Sequence, residues 1–159
     1  MVLQTMVPLP DGGSCAGTVD RDCQECLLKQ CDRKAAVDVC DSFTGNAMAG
    51  PATGKPRSRL CRDALECIRR TKCHANSLVD CYCGGIDLGT CNATTADAKD
   101  VCKNELDRAL EIRPGSAGSA ALDVITDPSG AGGAAGIVAT CENTRCASVC
   151  IPYQATTCL

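Results

Sequence analysis

The sequence predicts an all-α, disulfide-rich protein, a small helical bundle with long loops. Three observations lead there. Sixteen cysteines stand in 159 residues beside two tyrosines, one phenylalanine and no tryptophan. Aromatic rings ordinarily supply the largest buried areas of a core, so cystine cross-links and the side chains of Leu, Val and Ile must take their place. Apolar residues recur at helical spacing, whereas the period-two alternation of strands is absent.

Each element follows in order. The segment Met1–Pro10, with Pro8 and Pro10, reads as extended chain. Residues 1–14 are therefore set apart as an N-terminal arm, ahead of one stapled domain over 15–159. Asp20 or Asp22 caps a helix to about Cys40, with Cys23, Cys26, Leu27, Cys31, Ala35 and Val39 on its inner face. Asp41–Lys55, rich in Gly, Ala, Thr and Pro, is a loop. Ser58 opens a second helix to about Cys73, with Leu60, Cys61, Ala64, Leu65 and Ile68 inward. Asn76–Cys91 reads as irregular. Thr94 and Asp97 form a variant capping box for a third helix carrying Val101, Cys102, Leu106, Ala109 and Leu110, which Pro114-Gly115 ends. Ser116–Thr126 forms a short helix, and Asp127-Pro-Ser-Gly a turn. The small-residue run Ala131–Gly136 leads into a last helical segment, Ile137 to about Cys150. The first two helices make a hairpin over 20–74, and 75–159 makes a C-terminal half.

Cysteine spacing suggests the pairing. Antiparallel helices face residues whose numbers add to a near-constant value. Cys23 with Cys73, Cys26 with Cys67 and Cys31 with Cys61 meet that condition and are expected as three rungs across the hairpin. Cys83 with Cys91 and Cys150 with Cys158 close short local loops. Cys102 with Cys141 or Cys146 ties the C-terminal half together. The even total lets every thiol find a partner.

A formal charge of −3 names no partner, but its distribution is uneven. Lys55, Arg57, Arg59, Arg62, Arg69, Arg70 and Lys72 form a basic stretch, and residues 80–127 are acidic on balance. The basic stretch is a candidate interaction surface for an anionic surface or polysaccharide, or for the acidic stretch of another copy. Two solvated helix faces are the plainer reading. Rings for stacking bases are lacking, so no nucleic acid is expected as a partner. No stretch approaches the ~20 apolar residues that span a bilayer. The N-terminus lacks a signal peptide's basic and apolar regions, so the expectation is a secreted chain whose export signal has been removed or replaced.

No reaction is spelled out. Cys23-Gln-Glu-Cys26 is followed by Leu27 where covalent haem needs histidine, and it lacks the sheet of a thioredoxin-like dithiol. Cys23, Cys26 and Cys31, or Cys141, Cys146 and Cys150, have spacings that suit zinc or an iron–sulfur cluster. An oxidising compartment would turn those thiolates into disulfides first. His74 reads as a surface cation capping a helix C-terminus. Asp20/Asp22 and Asp97/Asp100 read as helix caps. Gly130–Gly136 lacks the lysine and strand of a phosphate loop. An enzyme is not expected, and no cofactor is implied.

The run from Cys61 through Cys67 to Cys73, followed by Asp80-Cys-Tyr-Cys-Gly84, resembles the helical cysteine-rich secreted and lipoprotein-type proteins of some Gram-negative bacteria. Cys141, Cys146 and Cys150 resemble their C-terminal cysteine helix. The resemblance covers most of Cys15–Cys150 and implies an exported protein, without an activity to carry over. Together these readings point to an exported, non-enzymatic structural or interaction protein with a protein partner, copies of itself included, as in an extracellular fibre or coat. A thiol redox or metal-binding protein is the competing class.

Overall fold

The structure, a computed structural model, describes residues 21–31, 39–86, 102–113 and 118–150. Seven α-helices and no strand occur among the described residues. They are α1 (Arg21–Gln30), α2 (Arg57–Thr71), α3 (Leu78–Cys83), α4 (Lys103–Ala109), α5 (Gly118–Val124), α6 (Ala131–Arg145) and α7 (Ala147–Cys150). Short 3-10 turns at Cys40–Ser42 and Cys73–Ala75 flank α2. The N-terminal arm lies outside the described residues.

The centre of the molecule is α6. Its first six residues, Ala-Gly-Gly-Ala-Ala-Gly, are all buried, and Val138 and Ala139 continue the buried surface. A helix apolar all round belongs inside a protein. α2 packs along it, α1, α4 and α7 cover other sides, and both 3-10 turns touch it. Small side chains make that close approach feasible. An added Cβ at Gly132 would lie 2.7 Å from the side chain of Leu110, and one at Gly136 would lie 2.3 Å from the side chain of Leu78. The run 131–136 is therefore the first half of the central helix, not a lead-in. The predicted last segment is in fact two helices, broken at Cys146.

α2 follows its predicted pattern, with Leu60, Cys61, Ala64, Leu65 and Ile68 buried. It ends where Lys72 adopts the left-handed conformation (φ 54°) and donates its N–H to the Ile68 carbonyl. α3 corrects the expectation of an irregular 76–91. Ser77 caps it through its Oγ, which accepts from the Val79 N–H at 3.2 Å, and Gly84 (φ 63°) ends it in the left-handed region. Tyr82 on α3 is fully buried and donates to Oδ1 of Asp107 on α4 at 2.5 Å. Lys103, also buried, pairs with Asp107 and sits 4.9 Å above the Tyr82 ring. Burial, then Asp107, hold the Tyr82 hydroxyl well above its ordinary range. The molecule thus spends its one fully buried ring, among the described residues, on joining α3 to α4.

Five bridges connect described residues: Cys26–Cys146, Cys31–Cys141, Cys40–Cys61, Cys67–Cys102 and Cys73–Cys81. The expected rungs Cys26–Cys67 and Cys31–Cys61 do not form, and Cys73 is taken by Cys81, which rules out Cys23–Cys73 as well. Nor does Cys102 join Cys141 or Cys146. The reason lies in the packing, because α1 docks on α6 and α7 and the 20–74 hairpin gives way to an α1–α6 pairing. Cys26–Cys146 and Cys31–Cys141 have Cα separations of 5.8 and 6.0 Å and join antiparallel helices with equal sums of residue numbers. Cys83 and Cys150 are also disulfide-bonded. Their expected partners, Cys91 and Cys158, lie outside the described residues, as does Cys23's side chain.

Candidate interaction site

The basic stretch does not form one free surface. Arg57 donates through Nε to Oε1 of Glu111 at 2.6 Å, Arg62 pairs with Asp41, and Arg69 forms a two-point pair with Glu142, its Nε 2.7 Å from Oε2. The Glu142 carboxylate is almost wholly buried, so this last pair is part of the α2–α6 interface. Arg70 points Nη2 at Sγ of Cys67, 3.9 Å away. Lys55 and Lys72 are exposed, and Arg59 is exposed yet interacts. Three of the seven expected interaction residues thus pair with carboxylates within the chain.

His74 is a second correction. It is 5% exposed, not a surface cap. The left-handed Lys72 reverses the chain, and the 3-10 turn Cys73–Ala75 folds back onto α6. Burial holds the imidazole below its ordinary value, against the opposing pull of Glu142 and the Ile68 and Ala139 carbonyls. Neither ring nitrogen completes a hydrogen bond.

The element that stands out for display is the loop before α2. An isolated bridge between Asn46 and Pro56 closes it. Ala47 donates to the Lys55 carbonyl and Gly54 donates to the Ala47 carbonyl, both at 2.9 Å. Ala47 and Ala52 are buried beneath it. Loops of this compact kind, with their ends together, are frequent carriers of function. Glu111 clamps it from outside. Its Oε2 accepts from the N–H groups of Met48 at 2.7 Å and Ala49 at 3.2 Å, while Oε1 holds Arg57.

The clamp is fitted closely. Glu111 itself has a left-handed backbone (φ 57°), uncommon for a residue with a side chain. Gly50 (φ 77°) lies so near that an added Cβ would come 2.8 Å from the Glu111 carbonyl carbon. Burial works against the Glu111 charge, but Arg57 and the two N–H donors outweigh it and bring its pKa below the ordinary 4.5. Above this base the Met48 side chain is 79% exposed. An unbranched, polarizable thioether is well suited to contact a protein surface.

The chain matches no family model, no curated protein and no solved structure. Its own residues must speak for its chemistry. Among the described residues no three of His, Cys, Asp and Glu converge as a metal site. Cys26 and Cys31 are bonded crosswise to Cys146 and Cys141, so two members of each cysteine triad considered for zinc or iron–sulfur are taken by this pair of bridges, and Cys150 is disulfide-bonded as well. Cys23, in the first triad, has no described side chain. Glu111 carried no signal in the sequence. Its target loop lies more than sixty residues away, at separations of 63 and 62 for Met48 and Ala49.

Proposed function

We propose that this chain is an exported, non-enzymatic binding scaffold whose contact element is the clamped loop 46–56, with Met48 exposed on it. The observation that carries the reading is the Glu111 carboxylate fastening two loop N–H groups and Arg57 beneath an exposed methionine. Rigid presentation lowers the ordering cost of binding, and the disulfide-linked core supplies the rigidity. The bridges suit an oxidising, extracellular setting, and no described helix is long and apolar enough to cross a membrane. The partner is a protein, other copies of the same chain included, as in a fibre or coat.

The test places a photoreactive methionine analogue at position 48 of the full chain in its producing cells. A cross-link to one protein, or to the chain itself, supports the reading, provided Met48→Asp loses the association. Electron micrographs of the native material then separate self-assembly from a foreign partner. Labelling at position 48 no stronger than at Leu28, which is 55% exposed on α1, would overturn it.

A further inference from the structure

Two disulfides lie side by side at the end of α2. Cys67–Cys102 ties α2 to the residue that precedes α4, and Cys73–Cys81 ties the following turn to α3. Sγ of Cys73 stands 4.0 Å from Sγ of Cys102, although the two are not bonded to each other. The backbone maintains this approach, because the Cys102 N–H donates to the Cys81 carbonyl at 2.9 Å. Cys67, Cys81 and Cys102 are buried, whereas Cys73 is partly exposed. Nη2 of Arg70 lies 3.9 Å from Sγ of Cys67. The four sulfurs therefore follow one another in the order Cys81, Cys73, Cys102, Cys67, with the partly exposed Cys73 second and a guanidinium beside Cys67.

We propose that these four cysteines are an internal thiol–disulfide exchange site, opened by a dithiol. One thiolate of the dithiol attacks Sγ of Cys73, and the Cys73–Cys81 bond breaks with its electron pair leaving on Cys81. The second thiol of the dithiol then displaces Cys73 and the reagent departs as its cyclic disulfide. Two electrons and, after protonation, two protons have passed to Cys73 and Cys81. Deprotonated Cys73 next attacks Sγ of Cys102. The Cys73–Cys102 bond forms as the Cys67–Cys102 bond breaks, the electron pair leaves on Cys67, and this step involves no net redox change. A neighbouring arginine favours thiolate over thiol, and a thiol of lower pKa leaves faster. Arg70 supplies that neighbour. Reduction at the reachable bridge is thereby passed to a buried sulfur of α2, and the clasp between α2 and α4 is exchanged for one between the turn and α4.

The test is Cys81→Ala in the full chain, which leaves Cys73 without its native partner. Peptide mapping without reduction, after alkylation at about pH 8 where thiolate is present, is expected to show Cys73 joined to Cys102 and alkylated Cys67. Finding Cys67–Cys102 intact and Cys73 alkylated would overturn the proposal. Adding Arg70→Gln is expected to reduce the Cys73–Cys102 fraction about threefold or more, through loss of thiolate stabilisation at Cys67. Should Cys81→Ala fail to fold, the parent chain is treated with substoichiometric dithiothreitol, quenched with acid and mapped. Molecules carrying a Cys73–Cys102 link with labels at Cys67 and Cys81 support the exchange, and labels confined to native pairs refute it.

Discussion

His74 is where one side chain most clearly sets a solution property. The imidazole is buried with neither nitrogen completing a hydrogen bond, and Glu142, the charged group that acts on it, is engaged by Arg69. Its pKa lies below the ordinary 6.5, chiefly through burial. Between 6.5 and that depressed folded value, the unfolded chain binds the proton and the folded chain does not. Stability must therefore fall as pH drops through this window and level off beneath it. His74→Leu removes both the orphaned nitrogens and the titration. The variant is expected to equal the parent at pH 7, or exceed it by about 1 kcal/mol, and to lose this acid-dependent slope. Denaturant unfolding at a series of pH values measures both effects. His74 was legible in the sequence only as a helix-end cation. Its burial follows from the left-handed Lys72, a backbone choice that no residue type announced.

At the scale of elements, the small residues of α6 decide how tightly its surroundings, the turn that leads into it included, can approach. Alanine is favoured over glycine by about 1 kcal/mol in a helix interior, so propensity alone says Gly133→Ala should stabilise. Position 133 faces the Asp127 carbonyl, however, and a Cβ would stand 2.1 Å from that oxygen. Backbone cannot step aside as a side-chain tip can, and overpacking of this kind costs about 1–3 kcal/mol. Gly133→Ala is expected to be destabilised net, whereas Gly130→Ser, whose Cβ meets its nearest atom at 3.7 Å, is expected to be tolerated at the N-cap. Thermal melts of the two variants decide the comparison. The helical character of α2, the fourth and fifth helices and the all-α class were legible because apolar spacing is a local signal. The Glu111 clamp was not, since hydrogen bonds to backbone N–H groups place no demand on the residue types that donate them.

For the whole molecule, connectivity matters more than the number of bridges. Cys31–Cys141 is nested inside Cys26–Cys146, with sequence separations of 110 and 120. While one bridge holds, the other closes only a short circuit. Cys26→Ala/Cys146→Ala or Cys31→Ala/Cys141→Ala is therefore expected to cost about 3 kcal/mol alone, but the two together about 7 kcal/mol, because the long loop is then released. Denaturant unfolding of the three variants checks this non-additivity. The pairing itself held a clue in the sequence. Cys26 and Cys31 stand five apart, as do Cys141 and Cys146, whereas Cys61 and Cys67 stand six apart. The equal spacing fits antiparallel partners better than the hairpin rungs do, and the constant sum holds between α1 and α6, not between α1 and α2. In each pair one cysteine lies within its helix and the other just beyond a helix end, which lets unequal faces meet.

Proteolysis of the oxidised chain at low pH, followed by mass spectrometry of the linked peptides, interrogates this arrangement most directly. Peptides joining Cys26 to Cys146 and Cys31 to Cys141 are predicted, with α1 fastened to the glycine-rich helix. Peptides joining Cys26 to Cys67 or Cys31 to Cys61 would contradict it and return α1 to α2.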